Sequence, residues 1–308
     1  MPIQRAQIAP AKGAMGWALA GFFGLVLAST PLLAAESQAP TTQAVTRKAP
    51  PPMSIEEAQA LVKKNPKDTN AYLALGAAYR KAGKKSEAAQ AFEKMAALDP
   101  SNSTAHVSLG AVYMDMKRPK DAEREFRKAL SLNPKDSAAH FNMGNFYVGA
   151  GRRDDAIAEF RAATTLKPPL PDAWVNLGLI QAELGNTADA VDSYKKALAI
   201  DSTSVRALNN LGNSYYGQGR ISEGTALYKK ALDVDSKNQE AIYNLGVAFA
   251  DAQIFKEAMN YWRRAVAIDS TTAVASTARS SIEVLQQYLD QQKAPVSAPA
   301  QAPAPAAH

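Results

Sequence analysis

Few residues of this 308-residue chain belong to the types that perform chemistry at an active site. The chain contains no Cys, which excludes a thiolate metal site, a disulfide and a cysteine nucleophile. Its three His residues are His106, His140 and the C-terminal His308. His106 and His140 lie 34 positions apart, but no carboxylate or Cys completes a metal-ligand set around them. The sequence therefore favours packing roles for these two His residues, and we expect no metal and no cofactor.

Two other features resemble catalytic motifs and are better explained by structure. Asp154 and Asp155 form a paired carboxylate at a predicted helix start, where negative charge stabilises the helix dipole, so acid–base catalysis is the weaker interpretation. The glycine-rich stretch "GNSYYGQGR", residues 212 to 220, lacks the preceding strand and the following Lys-Ser/Thr of a phosphate-binding loop. No nucleophile has a base at a meaningful spacing, so we predict that the chain is not an enzyme.

Asparagine is the polar residue whose placement does need an explanation. Within "ALNNLGNSYYGQGR", residues 207 to 220, Asn209, Asn210 and Asn213 occupy a segment that otherwise favours a helix. Each Asn costs up to about 0.7 kcal/mol of helix propensity relative to Ala, because its amide competes for backbone hydrogen bonds. This loss of helix propensity indicates that the amides make specific contacts.

The elements that position these residues follow from a repeat of 34 residues. A Leu-Gly or Met-Gly dipeptide begins at residues 75, 109, 143, 177, 211 and 245. With the first residue of the dipeptide counted as position 7, most units have an aromatic residue at position 11 and Ala at positions 20 and 27. Position 24 is aromatic in all six units: Phe92, Phe126, Phe160, Tyr194, Tyr228 and Trp262. Six copies in register make a chance pattern implausible.

This pattern resembles the tetratricopeptide repeat family. The resemblance implies an all-α fold, an α-solenoid in which helix-turn-helix units stack into a right-handed superhelix. The predicted units are residues 69–102, 103–136, 137–170, 171–204, 205–238 and 239–272. Independently of the family, the small residues at positions 8, 20 and 27 allow two helices to approach closely, and the aromatic residues fill the seam between them.

Turn residues predict how each helix ends. Gly83, Gly151, Gly185 and Gly219 are suited to left-handed turns between the two helices of a unit. Prolines at position 32 in the first three units predict a sharp helix end, whereas the corresponding Ser202, Ser236 and Ser270 predict longer helices and caps for the next helix. Because residues 205–238 lack a Pro and contain Gly217, Gly219 and Gly224, we expect a flexible joint there.

Two segments flank the repeats. Residues 54–68 resemble the second half of a unit, with Ser54 as helix N-cap and with Ala58 and Leu61 facing inward. Residues 273–292 form a predicted amphipathic capping helix, with Ile282, Leu285 and Leu289 on its apolar side. Both segments can cover the ends of the stack.

The chain ends are predicted to lie outside the fold. Residues 1–35 combine a basic start with 23 uncharged residues and a Pro-containing end, which favours an export signal cleaved after Ala28 or Ala35. Residues 13–35 are also long enough to span a bilayer, so a retained membrane anchor is the alternative. Residues 36–53 and 293–308 are rich in Pro and Ala and are typical of a linker and a disordered tail.

The family resemblance implies that the first helix of each unit lines a concave groove. On that helix, position 6 is Asn in four successive units, Asn142, Asn176, Asn210 and Asn244, which resembles the asparagine ladder of the family's sugar-transferase array. Asn145, Asn209 and Asn213 lie on the same expected face, with Phe141, Val175, Leu179, Tyr216 and Tyr243 as apolar groove residues. An amide can both donate to and accept from an extended peptide backbone. The alternative is that these Asn residues pack one repeat against the next.

Charge and composition complete the functional prediction. The net charge of +6 is spread among acids and bases without a run of like charges, so we expect no nucleic-acid partner. The groove also lacks the basic residues with which some family members bind a C-terminal carboxylate. We predict a non-catalytic scaffold of a bacterial envelope, in the periplasm or on the outer face of the cytoplasmic membrane, that binds a protein or peptide. The alternatives are a membrane-tethered subunit of a secretion, pilus or polysaccharide-export complex, and self-association.

Overall fold

The computed structural model describes residues 53–293, which form fourteen α-helices and no strand. The helices are α1 Ile55–Lys64, α2 Thr69–Lys81, α3 Lys85–Leu98, α4 Ser103–Asp115, α5 Pro119–Leu132, α6 Ser137–Gly149, α7 Arg153–Thr165, α8 Pro171–Glu183, α9 Thr187–Ile200, α10 Val205–Gly217, α11 Ile221–Val234, α12 Gln239–Asp251, α13 Phe255–Ile268 and α14 Ala273–Lys293. The predicted all-α repeat fold is confirmed. The predicted export signal, and all but one residue of both the linker and the tail, lie outside the described residues. No helix between residues 53 and 293 is long and apolar enough to cross a membrane.

The described residues fall into two compact bodies, residues 53–218 and residues 219–293. The first body contains α1 to α10, and the second contains α11 to α14. Each repeat consists of a first helix, here called the A helix, and a second helix, here called the B helix. The boundary between the bodies lies at the turn between the A and B helices of the fifth repeat.

Glycine at position 8 of the A helix provides space for the aromatic residue at position 24 of the B helix. A Cβ atom built on Gly144 would lie 2.6 Å from Cε1 of Phe160, and one on Gly178 would lie 2.6 Å from Cε1 of Tyr194. Phe160 has no exposed surface. The small and aromatic positions of the sequence pattern therefore form the seam within these repeats, as predicted.

The turns between A and B helices use a left-handed residue at position 15. Gly83, Gly151, Gly185 and Gly219 have φ between 72° and 79°, which confirms the turn prediction. In the second and sixth repeats the same position holds Lys117 and Gln253, with φ of 59° and 60°. The left-handed turn is thus a property of every repeat, with or without glycine.

The prediction of longer B helices in the second half is wrong. The B helices α9, α11 and α13 have 14 residues each, as do α3 and α5. They end because the residue at position 31 accepts hydrogen bonds from the following turn: the Thr203 N–H and hydroxyl both donate to Asp201 Oδ1, at 2.9 and 2.7 Å. Asp99 plays the same role before Pro100. An Asx turn ends the helix whether or not Pro follows.

The serines at position 32 also do not cap the next helix, contrary to the prediction. The N-cap residues lie two positions later, where the side chains of Ser204 and Asn238 accept from backbone N–H groups of α10 and α12. In the first body, Asp68, Asn102 and Asp136 cap α2, α4 and α6 in the same way. The cap follows the Asx turn by three residues, so the two motifs together set the length of each connection.

Contacts between adjacent repeats join position 11 of one A helix to position 25 of the preceding B helix. The Tyr113 hydroxyl donates to Glu93 at 3.1 Å, and Gln59 of α1 donates to the Tyr79 hydroxyl at 2.9 Å. Farther along, the Lys195 ammonium lies 5.9 Å from the centre of the Tyr215 ring. The same two positions therefore meet through different chemistry at different junctions.

The flanking helices form where they were expected, with two differences in detail. Ser54 begins α1 with a capping box that includes Glu57, and Ala58 is buried. Leu61, however, is 41% exposed, because α1 packs through Ile55, Ala58 and Val62 instead. In α14 the fully buried residues are Ala275, Ala278 and Leu285, whereas Ile282 and Leu289 are only partly buried.

Candidate functional site

Each of the two internal His residues pairs with a glutamate inside its own repeat. His106 Nδ1 lies 2.8 Å from Glu125 Oε2, and His140 Nδ1 lies 2.6 Å from Glu159 Oε2. The described residues contain no cluster of acidic or His side chains that could hold a metal. Sequence analysis missed both pairs, although the signal was present: Glu occupies position 23 only in the two repeats that have His at position 4.

The surroundings of His140 favour its charged form. Its Nε2 atom lies 3.1 Å from the carbonyl oxygen of Pro134, and its Nδ1 atom faces the Glu159 carboxylate. Both partners are acceptors, and only an imidazolium can donate from both ring nitrogens. The hydrogen bond to Glu159 accordingly raises the pKa of His140, against the opposing effect of burial. This ring links α7, through Glu159, to α6.

The paired carboxylates Asp154 and Asp155 lie in the first turn of α7. Arg152 donates to Asp155 at 2.6 Å, and its guanidinium lies 4.3 Å from the centre of the Tyr147 ring. Asp154 is exposed in the first turn of α7. Both acidic residues therefore lie at a helix N-terminus, where their charge stabilises the helix dipole.

The four Asn residues at position 6 do not share one environment. Asn142 is 7% exposed and donates to the carbonyl oxygen of Ala138 in its own helix at 2.8 Å. Asn244 is 3% exposed, and Asn209 at position 5 is buried as well. Asn176 and Asn210 are only partly buried. The expectation of an accessible ladder is therefore wrong for Asn142 and Asn244, whose side chains are turned into the packing.

Asn176 belongs to a chain of polar side chains that crosses three repeats. Its Nδ2 atom donates to Asn145 Oδ1 of the preceding repeat at 2.7 Å. Its Oδ1 atom accepts from Arg206 of the following repeat at 2.8 Å, and Arg206 also donates to Asp172 at 3.0 Å. We call these four residues the polar relay. It lies on the A helices α6, α8 and α10 of the first body, on the face predicted to bind a partner.

Most of the predicted apolar groove residues are buried. Phe141, Val175, Tyr216 and Tyr243 are between 0% and 7% exposed, so the prediction that they offer apolar surface to a ligand is wrong. Position 5 faces the next repeat instead: Val107 at this position clusters with Ala129 and Ala139. Phe141 lies against Phe160, and Tyr243 bonds to Ser281 of α14.

The predicted face retains a smaller set of accessible side chains. Partly buried members of the original prediction in the first body are Asn145, Asn176, Leu179, Asn210 and Asn213. Val148, three residues after Asn145 on α6, is also partly buried. The two cations on this face are engaged, since Arg80 pairs with Asp115 at 2.5 Å and Arg206 belongs to the polar relay. The face is thus a row of amides beside apolar side chains.

Comparison with known proteins places this arrangement in a family. Residues 27–294 match the family model described as the cilia and flagella-associated protein 70 C-terminal domain, a tetratricopeptide-repeat model that covers most of the chain. No curated protein sequence matches the chain.

Solved structures with the same fold come from several sources. PilF of Pseudomonas aeruginosa is 22% identical, with a TM-score of 0.60 over 69% of this chain and 96% of PilF. PilW, described as a widely conserved type IV pilus biogenesis factor, is 21% identical, with a TM-score of 0.59 over 68% of this chain and 97% of PilW. Yeast Tom70 is 18% identical, with a TM-score of 0.61 over 79% of this chain and 51% of Tom70. At these identities the likeness establishes the fold alone.

Proposed function

Because the chain belongs to the tetratricopeptide-repeat family of the matched model, we propose that it is a non-catalytic scaffold that binds an extended segment of a partner protein along its A helices. The binding face consists of the A helices of the third, fourth and fifth repeats. A scaffold of this kind needs a surface that contacts a peptide backbone without covalent chemistry, and amide side chains supply both donors and acceptors for it.

One observation carries this proposal: partly buried amides follow one another on α6, α8 and α10 of a single compact body. Asn145, Asn176, Asn210 and Asn213 lie on these three helices, with Leu179 and Val148 among them. At about 0.5–1.5 kcal/mol net for each hydrogen bond, four amides contribute roughly 2–6 kcal/mol before ordering costs. Since micromolar affinity needs about 8 kcal/mol, apolar contacts must supply the remainder.

Site-specific photocrosslinking tests where the partner binds. A photoreactive amino acid replaces Leu179 on the A-helix face in one variant and Gln90, exposed on the B helix α3, in the control. We expect a crosslinked partner from position 179 and none from position 90. The partner's crosslinked segment, made as a purified peptide, should then compete with crosslinking. Equal crosslinking from both positions would refute the proposed face.

We further propose that the chain is exported and acts in a bacterial envelope. The support is the N-terminal sequence itself, with its basic start, uncharged stretch and Pro-containing end. N-terminal sequencing of the protein from membrane and periplasmic fractions separates the two forms. A start after residue 28 or 35 in the periplasm supports the exported scaffold. An intact Met1 in the membrane supports the second candidate, a tethered subunit of an envelope assembly. Recovery only from the cytoplasm would contradict both.

A further inference from the structure

The exposed side of the B helices carries a marked excess of positive charge. Positions 18, 22, 25, 26 and 29 of a repeat are three or four residues apart and lie on one side of the B helix. We call the side chains at these positions the B-helix face. Its charged members are all exposed, and they comprise thirteen cations and four acids, against 35 cations and 29 acids in the whole chain. The cations are Lys94, Lys120, Arg124, Arg127, Lys128, Arg161, Lys195, Lys196, Lys229, Lys230, Lys256, Arg263 and Arg264, and the acids are Glu93, Asp154, Asp192 and Asp233.

Each compact body carries this excess by itself. In the first body the B-helix face holds eight cations and three acids, and in the second body it holds five cations and one acid. In the sequence the cations occur singly or in short groups, such as the pair Lys195 and Lys196, so no run of like charges marks them. The helical fold of each B helix collects them on one side.

The face is most basic on α5, where two arginines are held by acids of the same helix. Arg124 pairs with Asp121 at 2.8 Å, and Arg127 pairs with Glu123 at 2.7 Å. Together with Lys120 and Glu123, the two arginines line an open hollow of about 290 Å³. A guanidinium has five N–H donors, so each arginine can still donate to a phosphate oxygen while it is paired.

Four other cations of the first body are not neutralised by a neighbour. The charged groups of Lys94, Lys120, Lys128 and Arg161 make no ion pair or hydrogen bond with any residue between positions 53 and 293. They lie on α3, α5 and α7, three successive B helices of one body. Because they break no contact when an anionic surface approaches, their attraction to it is undiminished.

The composition of the face favours a membrane over a nucleic acid as the anionic surface. None of its residues is aromatic, so it offers no platform on which bases could stack. Lipid phosphates form a plane and attract Lys and Arg without any base contact, so cations on several helices can contribute together. Besides the charged residues, the face contains only Ala, Ser, Thr, Gln and Asn, which leave Lys and Arg as its longest side chains.

The position of the N-terminal segment is consistent with this surface. Residues 13–35 are uncharged and long enough to span a bilayer, and the described fold begins at residue 53. The 17 residues between 36 and 52 can span at most about 60 Å. A fold tethered through residues 13–35 would therefore stay close to the headgroups.

We propose that the B-helix face is a docking surface for the anionic phospholipid headgroups of a membrane. The cations bind the plane of headgroup phosphates by charge, while the A helices contact the partner protein. This inference goes beyond the proposed function, because it assigns a different ligand to a different surface.

Vesicle flotation with the full-length protein measures this binding. Vesicles of phosphatidylcholine alone are compared with vesicles of phosphatidylcholine and phosphatidylglycerol in equal parts. Because residues 13–35 can insert into either bilayer, the difference in Kd between the two lipids reports on the face. We expect tighter binding to the anionic vesicles, and we expect this preference to disappear at high salt, since salt screens exposed charges.

A face variant removes only the four cations that make no ion pair, so it should fold like the wild type. It combines Lys94→Gln, Lys120→Gln, Lys128→Gln and Arg161→Gln. Each Lys or Arg at an anionic bilayer strengthens binding by about fivefold, so we expect the Kd for anionic vesicles to rise by more than about twentyfold, the loss expected from two direct contacts. Thermal melting followed by circular dichroism verifies the fold.

A control variant removes the same number of exposed cations at positions outside the face. It combines Lys67→Gln, Lys81→Gln, Lys135→Gln and Lys237→Gln. Its net charge equals that of the face variant, so it corrects for long-range attraction to the vesicle. We expect its Kd for anionic vesicles to stay within about threefold of the wild-type value.

The outcomes separate this inference from the proposed function. Equal affinity of the wild type for both lipids would overturn the inference, as would an unchanged Kd for the face variant or equal losses in the two variants. Binding of labelled duplex DNA as tight as that of anionic vesicles would also overturn it, in favour of a nucleic-acid surface. If crosslinking from position 179 still captures the partner, the scaffold function stands in each case. Loss of that crosslink with lipid binding intact would refute the proposed function alone.

Discussion

The Gly144 seam allows a stability prediction in which two substitutions in one helix have opposite effects. Gly144→Ala adds a Cβ atom 2.6 Å from the Phe160 ring, well inside ordinary contact distance. The ring is fully buried and cannot move aside, so overpacking should cost about 3 kcal/mol, at the upper end of such changes. The better helix propensity of Ala returns about 1 kcal/mol. We therefore expect a net loss of about 2 kcal/mol.

Gly149→Ala is the matched control. Gly149 ends the same helix, and the nearest atom to an added Cβ is Met114 Cε at 3.9 Å, an ordinary contact. This variant gains helix propensity without strain and should be stabilised by up to about 1 kcal/mol. The assay is thermal unfolding monitored by circular dichroism. For a chain of this size the Gly144→Ala midpoint should fall by about 4–8 °C, and the Gly149→Ala midpoint should not fall.

A second substitution tests the cause of the loss. Phe160→Leu removes the ring that an added Cβ would strike, so Gly144→Ala should cost less in the Phe160→Leu background than in the wild type. An undiminished cost in that background would show that the strain lies elsewhere. A Gly144→Ala midpoint at or above that of the wild type would refute the close-packing argument itself.

Four further measurements test other features of the fold. Hydrogen bonding to Glu159 raises the pKa of His140 above its ordinary value of 6.5. The stabilisation by this pair should therefore be fully present below pH 6.5 and lost as the pH rises through the raised pKa. Urea unfolding should show the free energies of unfolding of the wild type and His140→Gln converging at high pH. Asp201→Ala removes the Asx turn and should cost about 1 kcal/mol in the same assay. Ser202→Pro places Pro where Pro100 and Pro134 lie in earlier repeats and should add about 0.4–1 kcal/mol in the same assay. Hydrogen exchange should be faster at residues 217–224 than at residues 183–190 if the fifth repeat contains the expected joint.

The sequence predicted the parts of the fold that depend on the period. Because every unit repeats after 34 residues, the contact of Gly144 with Phe160 uses the same two positions as that of Gly178 with Tyr194 and needed no further information. The left-handed turns followed from Gly83 and its counterparts in the same way. Position 31 is Asp or Asn in most units and ends the B helix through an Asx turn. The sequence interpretation attributed the helix end to the Pro that follows in the first three repeats instead.

Features that depend on the partner of a side chain were harder to predict. Phe141 and Val175 are buried, and Val107 at the same position 5 packs against Ala129 and against Ala139 of the next repeat, a contact that a helical wheel of one helix does not contain. The four ladder residues look identical in sequence, yet Asn142 bonds to its own backbone and Asn176 to two other repeats. The difference comes from Asn145 and Arg206, neither of which the repeat pattern requires.

The junctions between repeats give the array an order that the shared pattern hides. Tyr113 donates to Glu93 at one boundary, whereas at another Tyr215 faces the cation of Lys195. Excising one 34-residue unit preserves the period but creates a hybrid junction, whose stability depends on which two neighbours are joined. Removal of residues 103–136 would bring Glu93 to Tyr147, a compatible pair. Removal of residues 137–170 would bring Arg127 to Gln181, whose preceding repeat in the intact chain has Arg161 at the same position. Both excisions therefore keep the residue types that meet at the junction, and a unit can be removed there without changing the chemistry of position 11.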